Sequence, residues 1–412
     1  MIAALAIFVL AYVAVAAGRF PGLSLDRPAA ALLGAVLMVA AGVLTPAEAG
    51  AAVNGDTLGL LLGMMIVSAY LTEAGFFRWT SWRVIRAVNT PRTLLWALTF
   101  TAGALSAFLV NDTVCLMMTP LVVRIIDDAR LPARPFLLAV AFGSNAGSVA
   151  TLTGNPQNMI VGTLSGISYA RFAAALALPA AASLALVAVV LHLLFRKELP
   201  RLRLAAALAP PAVDRRLLAK ALGALAVALA GFALGFPLAW TALFSGALCM
   251  AVAGRAPREA LQRVDWPLLV FFAGLFVVVA GMGKAGVAAR MYDAIAPALG
   301  TTPERQAVVF SLFSVAGSQV VSNVPFVILA QHWIPRLADP RLLWLATALA
   351  STLAGNLTIL GSVANIIVLE LAGARGRIRF WPFFKIGAAV TALTLAAGLG
   401  LLLAERRLGL LP

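Results

Sequence analysis

Gly143-Ser144-Asn145-Ala146-Gly147-Ser148-Val149-Ala150-Thr151-Leu152-Thr153-Gly154-Asn155-Pro156-Gln157-Asn158 interrupts a chain that is otherwise built from apolar runs. Glycine allows unusual backbone angles and close approach, Pro156 removes a donor, and the Asn, Ser and Thr side chains offer neutral oxygens at ligand distance. A seam of small residues between packed helices would account for the glycines and serines but poorly for Asn-Pro-Gln-Asn. A helix that unwinds at membrane depth accounts for both. Its freed N–H and C=O groups are tolerated only where they line a buried or watered cavity, and half-helix ends attract anions while freed carbonyls coordinate cations.

Apolar residues make up 62% of the 412 positions and charged residues 11%, and mean hydropathy is +0.98. A soluble fold needs roughly a quarter of its residues charged, so the chain is expected to be an all-α polytopic membrane protein. Candidate spans are 2–18, 29–45, 57–76, 93–109, 135–148, 155–167, 173–195, 217–235, 238–254, 266–283, 305–320, 342–356, 362–373 and 383–404. Several are too short to cross a hydrocarbon layer of about 30 Å alone. The formal charge of +15 sits in the short breaks between apolar runs, where the positive-inside rule puts basic residues; nucleic acid is not an expected partner, and membrane lipid is. Cys115 and Cys249 have no partner at metal or redox spacing, so neither a disulfide nor a zinc site is implied. Ile2–Val15 lacks the flanks of a cleaved signal and reads as a retained first helix. The basic segment 196–216 falls at the midpoint and reads as a cytoplasmic linker. Arg78–Arg83 and Arg290–Asp293 read as interfacial helices.

The chain repeats itself. Gly63–Gly75 lines up with Gly274–Gly286 at an offset of 211, and the same offset sets Val110-Asn111-Asp112-Thr113 on Val321-Ser322-Asn323-Val324. After a slip of four residues, Thr151–Val161 matches Thr358–Val368, so that Gly355-Asn356-Leu357-Thr358-Ile359-Leu360-Gly361-Ser362-Val363-Ala364-Asn365 is the second break. The expected division is N-terminal scaffold helices 1–56, a first repeat 57–195, the linker 196–216 and a second repeat 217–412. Thr93 to Ile126, some 34 residues, is too long for one span and has its polar tripeptide near the middle. It fits a re-entrant hairpin with the polar residues at its tip, and Val308 to Ile334 reads the same way.

Asp112 is the single carboxylate of the first hairpin, and an ionisable group at that depth is a functional residue by default. A helix-capping aspartate is the plainer reading of it. Asp56 and Asp265 stand before apolar runs as caps, and Glu370 is expected to pair with Arg375 or Arg377. His192 and His332 are too few for a histidine relay, and a lone Cys115 is expected to pack. No nucleophile–base or metal constellation marks an enzyme.

These residues resemble the ion transporter superfamily of divalent-anion/sodium symporters, citrate permeases, arsenite permeases and certain Na⁺/H⁺ antiporters. The resemblance is carried by Leu109–Thr113 with Thr119-Pro120, by Ser148–Asn158, and by Ser322-Asn323, Gly355–Thr358 and Gly361-Ser362. It implies two inverted repeats, each with a re-entrant hairpin and a broken transmembrane helix, in a transport domain that moves elevator-fashion beside a scaffold that dimerises. The symporters' Ser-Asn-Thr tips correspond to Asn111-Asp112-Thr113 and Ser322-Asn323-Val324; the Asn-Asp pair looks more like the arsenite permease and antiporter branches, whereas Gly154-Asn155-Pro156-Gln157-Asn158 looks more like the anion symporters. The resemblance implies a secondary transporter of a small inorganic or carboxylate anion in a bacterial inner membrane, driven by Na⁺ or H⁺ and needing no cofactor. An arsenite/antimonite efflux permease and an Na⁺/H⁺ antiporter are the alternatives. The expected site comprises Asn111, Asp112, Thr113, Asn145, Ser148, Thr151, Thr153, Gly154, Asn155, Asn158, Ser322, Asn323, Asn356, Thr358, Gly361, Ser362 and Asn365. Na⁺ would sit at Asn111, Asp112 and Asn323, with Asn155, Asn158, Ser362 and Asn365 facing the substrate.

Overall fold

A computed structural model describes residues 1–17, 26–200 and 210–411. Residues 201–209 of the expected linker, and residue 18 of the first expected span, lie outside the described residues. Helices and no strands occupy the described residues. The first series is α1 (Ile2–Ala17), α2 (Arg27–Ala40), α3 (Pro46–Ala52), α4 (Gly55–Glu73), α5 (Phe76–Ala87), α6 (Pro91–Phe108), α7 (Asn111–Asp128), α8 (Ala133–Ser148), α9 (Pro156–Ser165) and α10 (Tyr169–Phe195). The second is α11 (Arg215–Ala233), α12 (Leu238–Val252), α13 (Pro257–Gln262), α14 (Trp266–Lys284), α15 (Val287–Leu299), α16 (Pro303–Val321), α17 (Asn323–Ala330), α18 (Pro340–Ala354), α19 (Val363–Leu371) and α20 (Phe380–Arg407). Element for element, the second series repeats the first. Among the described residues, five helices, α4, α10, α11, α14 and α20, are long and apolar enough to cross a membrane alone.

Local chemistry sets these boundaries at matching places. Asn54 caps α4 by accepting from Thr57 N at 2.8 Å, and Asp265 caps α14 by accepting from Leu268 N at 3.0 Å. Asp56 therefore sits in the first turn of α4 and does not cap it. Each of these helices then ends in Ala-Gly, where Gly75 (φ 85°) and Gly286 (φ 74°) take the left-handed conformation that turns the chain sharply into the amphipathic α5 and α15.

Packing joins the two series. α4 lies against α12 so closely that a Cβ on Gly63 would stand 2.3 Å from the Ala242 carbonyl carbon; α14 meets α2 the same way through Gly274 and Ala31. α6 packs on α8, where a Cβ on Gly147 would fall 2.2 Å from Gly103 Cα. α10 packs on α20.

The ion pairs sort the helix ends onto two faces. Glu48, just ahead of α4, meets Lys284 at the end of α14 (2.6 Å), while Glu73, at the end of α4, meets Arg255 (3.5 Å), a short way ahead of α14. α4 and α14 thus run in opposite senses. Arg255 also holds Asp214 (2.9 Å), and Arg134 holds Glu198 (2.8 Å). On the Glu48 face, Arg406 bridges Glu304 (2.5 Å) and Asp339 (3.0 Å).

Three expectations shift. The first break is narrower than Gly143–Asn158, because Gly143–Ser148 stays helical at the end of α8. The second hairpin's returning arm, α17, is shorter than α7, and this is where the repeat offset falls from 211 to 207. Arg375 pairs with Asp127, not with Glu370.

Candidate functional site

Two hairpins and two broken helices converge. α6 turns through Leu109-Val110 into α7, and α16 turns into α17 at Ser322, whose φ of 72° and ψ of 161° place a serine where glycine is favoured. α8 gives way to a single 3₁₀ turn, Leu152–Gly154, before α9; α18 gives way to Ile359–Gly361 before α19. Asn155 caps α9 by accepting from Asn158 N at 2.8 Å, and Ser362 caps α19 by accepting from Ala364 N at 3.2 Å.

The breaks free carbonyl groups in the protein interior, where each needs a donor. Two asparagines supply them in register. Asn158 donates through Nδ2 to the carbonyls of Ser148 and Thr151, both at 3.0 Å. Asn365, 207 residues on, donates to Gly355 at 2.7 Å and Thr358 at 3.0 Å, the carbonyls at matching positions. Thr151 donates to the Ala107 carbonyl and shares a 3.2 Å contact with Thr153, which reaches Tyr169 at 3.3 Å. Thr358 donates to Gln319 Oε1 at 2.7 Å, and Gln319 donates back to the Ala354 carbonyl at 2.9 Å.

Asn145 ties the halves together from within α8. Its Nδ2 donates to Asn356 Oδ1 (2.9 Å) and Asn365 Oδ1 (3.3 Å), and its Oδ1 accepts from Asn111 Nδ2 and Ser362 Oγ, each at 3.1 Å. Asn155 donates to Thr352 Oγ1 at 3.1 Å and to Ser148 Oγ at 2.8 Å. The first hairpin tip, the second hairpin through Gln319, and both breaks are thereby one hydrogen-bonded body.

A cavity of about 300 Å³ opens beside this body. Its lining takes Asn111, Asp112, Ser322 and Asn323 from the tips and Gln157, Gly361 and Ser362 from the breaks. Arg27 of α2 and Asp265 ahead of α14 line it from the opposite wall. Two carboxamide oxygens there, Asn111 Oδ1 and Asn323 Oδ1, are buried without a hydrogen-bond partner, their residues only 4% and 7% exposed. A buried acceptor with no donor is costly, and a pair of them at the two tips is what a bound cation would satisfy. Asp112 does not cap its helix, which leaves its carboxylate to the cavity.

A second cavity of about 460 Å³ shares Asp112, Asp265, Leu268 and Val363 with the first and adds Thr113. A third of about 530 Å³ shares Thr72, Leu116, Met117 and Arg263 with the second and reaches Glu73, Arg78 and Arg124. The site is thus continuous with the Glu73 face. Toward the other face, α9 packs on α4 and Thr57 Oγ1 meets Thr163 Oγ1 at 2.8 Å. The residue matching Thr57 in the second series, Leu268, lines the open cavities instead.

Of the expected site residues, Asn111, Asp112, Ser322, Asn323, Gly361 and Ser362 line the first cavity, and Thr113 lines the second. Asn145, Ser148, Thr151, Thr153, Gly154, Asn155, Asn158, Asn356, Thr358 and Asn365 line neither. Asn155, Asn158 and Asn365, expected to face the substrate, spend their amide N–H groups on hydrogen bonds within this body. Sequence reasoning missed Arg27, Asp265, Gln157 and Gln319. A glutamine inside the apolar arm of a hairpin was a readable signal for Gln319; Arg27 and Asp265 look like ordinary helix starts.

Known proteins similar to this chain are named as transporters. The family described as citrate transporter, CitMHS, matches residues 8–350. The silicon efflux transporter LSI3 of Oryza sativa subsp. japonica is 30% identical, with 93% of each chain covered. A Dictyostelium discoideum protein named as the transporter arsB is 24% identical over 91% of this chain and 87% of its own. Among solved structures, the YdaH transporter of Alcanivorax borkumensis, described as having an unusual topology, superposes with a TM-score of 0.57 at 18% identity, covering 99% of this chain and 98% of that one. At that identity the likeness bears on the fold alone.

Proposed function

The chain belongs to the CitMHS citrate transporter family, and from that premise we propose that it is a secondary active transporter of a small anion, coupled to Na⁺ or H⁺. It is a membrane transporter and not an enzyme. One observation supports the finer reading: Asn111 and Asn323, each with a buried carboxamide oxygen that has no hydrogen-bond partner, line one cavity with Asp112. Neutral oxygens and one carboxylate suit Na⁺, and the carboxylate alone suits a proton. The N-terminal ends of α9 and α19 border the same cavity at Gln157 and Val363, and their helix dipoles would favour an anion there.

The moving unit in this proposal is the hydrogen-bonded body of α6–α9 and α16–α19. Its scaffold is α1, α2, α4, α11, α12 and α14, with α10 and α20 closing each repeat, so that α1–α3 stand to α11–α13 as 57–195 stands to the rest of 217–412. The opposed senses of α4 and α14 support an inverted relation of the repeats. Arg78, Arg83, Arg86, Arg92, Arg196, Lys197, Arg215, Arg216 and Arg255 gather on the Glu73 side. The positive-inside rule makes that side cytoplasmic, so the cavities describe an inward-facing state of a protein in a bacterial inner membrane, with a homodimer as the working assembly.

An efflux permease for arsenite or antimonite is the second reading, favoured by the names of the silicon efflux and arsB relatives. Uptake into proteoliposomes, screened over citrate, dicarboxylates, sulfate, phosphate and arsenite with imposed Na⁺ and pH gradients, tests both. Gradient-driven citrate, sulfate or phosphate flux is the expected result; flux of arsenite alone selects the second reading. Proton flux driven by Na⁺ with no solute present would select an Na⁺/H⁺ antiporter.

A further inference from the structure

We propose that Arg27 binds the oxyanion group of the transported solute, a carboxylate or a tetrahedral oxyanion, and does so from one side of the membrane only. The inference rests on the transporter reading above. Arg27 opens α2 and lines the first cavity together with residues of both hairpin tips. Asp26, Asp112 and Asp265 line the same cavity, yet the Arg27 guanidinium makes no ion pair or hydrogen bond with any described residue; Glu370 acts on it only through space. A half-buried guanidinium at the edge of the hydrocarbon layer is costly unless paired. Here the missing partner is on the side of the cavity. Its planar fork matches a carboxylate or a tetrahedral oxyanion with two parallel N–H···O bonds, which a lysine ammonium cannot reproduce. Among the described residues, no other arginine or lysine lines this cavity.

The second series has no such residue. The position matching Arg27 at the offset of 211 is Leu238, the first residue of α12. The hairpin tips are near-symmetric, but the scaffold wall they meet is cationic at α2 and apolar at α12. A transport body that travels between the two walls meets the guanidinium at the face where the cavities open and a leucine at the other. The solute is therefore held more tightly from the Glu73 side.

The test uses the purified full-length protein, Arg27→Gln and Arg27→Lys, with citrate, phosphate and sulfate as charged probes and arsenous acid as a neutral one. Ligand-induced shifts in melting temperature and uptake into liposomes of sorted orientation are read together. Losing a charge-assisted bidentate pair is expected to raise the half-saturating concentration of the bound oxyanion about 10–100-fold in Arg27→Gln when the probe is presented at the Glu73 face. The maximal rate and the half-saturation from the opposite face stay near wild type, and Arg27→Lys falls between. Leu238→Arg, made on wild type, is expected to lower half-saturation from the opposite face. An unchanged half-saturation in Arg27→Gln with wild-type transport intact overturns the inference alone. So does stabilisation by arsenous acid only, equal in both proteins, or loss restricted to the pH dependence of coupling, which would make Arg27 a counter-ion of Asp112. No stabilisation and no uptake of any probe by the wild type overturns this inference and the transporter reading together.

Discussion

Asp112 and the two asparagines behind it divide the work at the scale of single residues. Asp112 begins the returning arm of its hairpin without capping it and faces two cavities. Asp112→Asn keeps shape and hydrogen-bonding capacity but removes the charge. Gradient-driven uptake is expected to fall to the level of empty liposomes, with unchanged membrane insertion and gel-filtration profile. Wild-type uptake in that variant would remove Asp112 from the coupling site. Asn158 and Asn365 act differently, since each donates to two interior carbonyls. Asn158→Ala strips both donors, at about 1–3 kcal/mol for each carbonyl left alone, so a clearly lower melting temperature in detergent is expected even without ligand. The sequence made these residues conspicuous because Asn-Pro-Gln-Asn has no place in a packing seam. It could not separate those that face the cavity from those that splint the backbone, because both tasks call for a short carboxamide. Arg27 and Asp265 were hidden for the opposite reason: a charge before an apolar run is where helix starts ordinarily put one.

At the scale of elements, the hairpins were legible from length alone, since a 34-residue apolar stretch with a polar centre cannot cross once. Their closeness to the broken helices was not, because it depends on glycine faces meeting glycine faces. Gly147→Ala would drive a methyl to 2.2 Å from Gly103 Cα, and overpacking of this kind costs about 1–3 kcal/mol. Loss of monodisperse protein or a marked drop in melting temperature is expected, whereas Gly223→Ala, with nothing within 4 Å of the added methyl, leaves both unchanged. The extramembranous clasps give a pH signature. Lys284 and then Thr45 hold the Glu48 carboxyl down to about 2. The Leu217 N–H and Arg255 hold Asp214 below the ordinary carboxylate range. Groups lowered in the folded state contribute above their unfolded values, and that contribution is lost as pH falls through the folded ones. Melting temperature is thus expected to be flat from about pH 8 to pH 5 and to decline below about pH 4, less steeply in Glu48→Gln/Asp214→Asn.

Across the whole molecule the two series are alike in order and unlike in closure. Thr57 and Thr163 touch at 2.8 Å on one side, while Leu268, the counterpart of Thr57, borders open space. In Thr57→Cys/Thr163→Cys, oxidation is expected to join the two helices and stop transport, with recovery on reduction; full transport by the oxidised pair would mean that this contact never opens. The like order of elements was readable from residues matched at an offset of 211, but which end stands closed was not, because both ends use the same small vocabulary of residues.

Asp112 stands at a hairpin tip, so in the proposed elevator movement its passage has an electrical aspect. An ionised aspartate carried across a potential of about 100 mV changes energy by about 2.3 kcal/mol, and the same residue escorted by a proton or a sodium ion changes by nothing. The voltage dependence of turnover in liposomes clamped with potassium and valinomycin therefore reports whether that side chain crosses alone or in company, before the passenger has been identified.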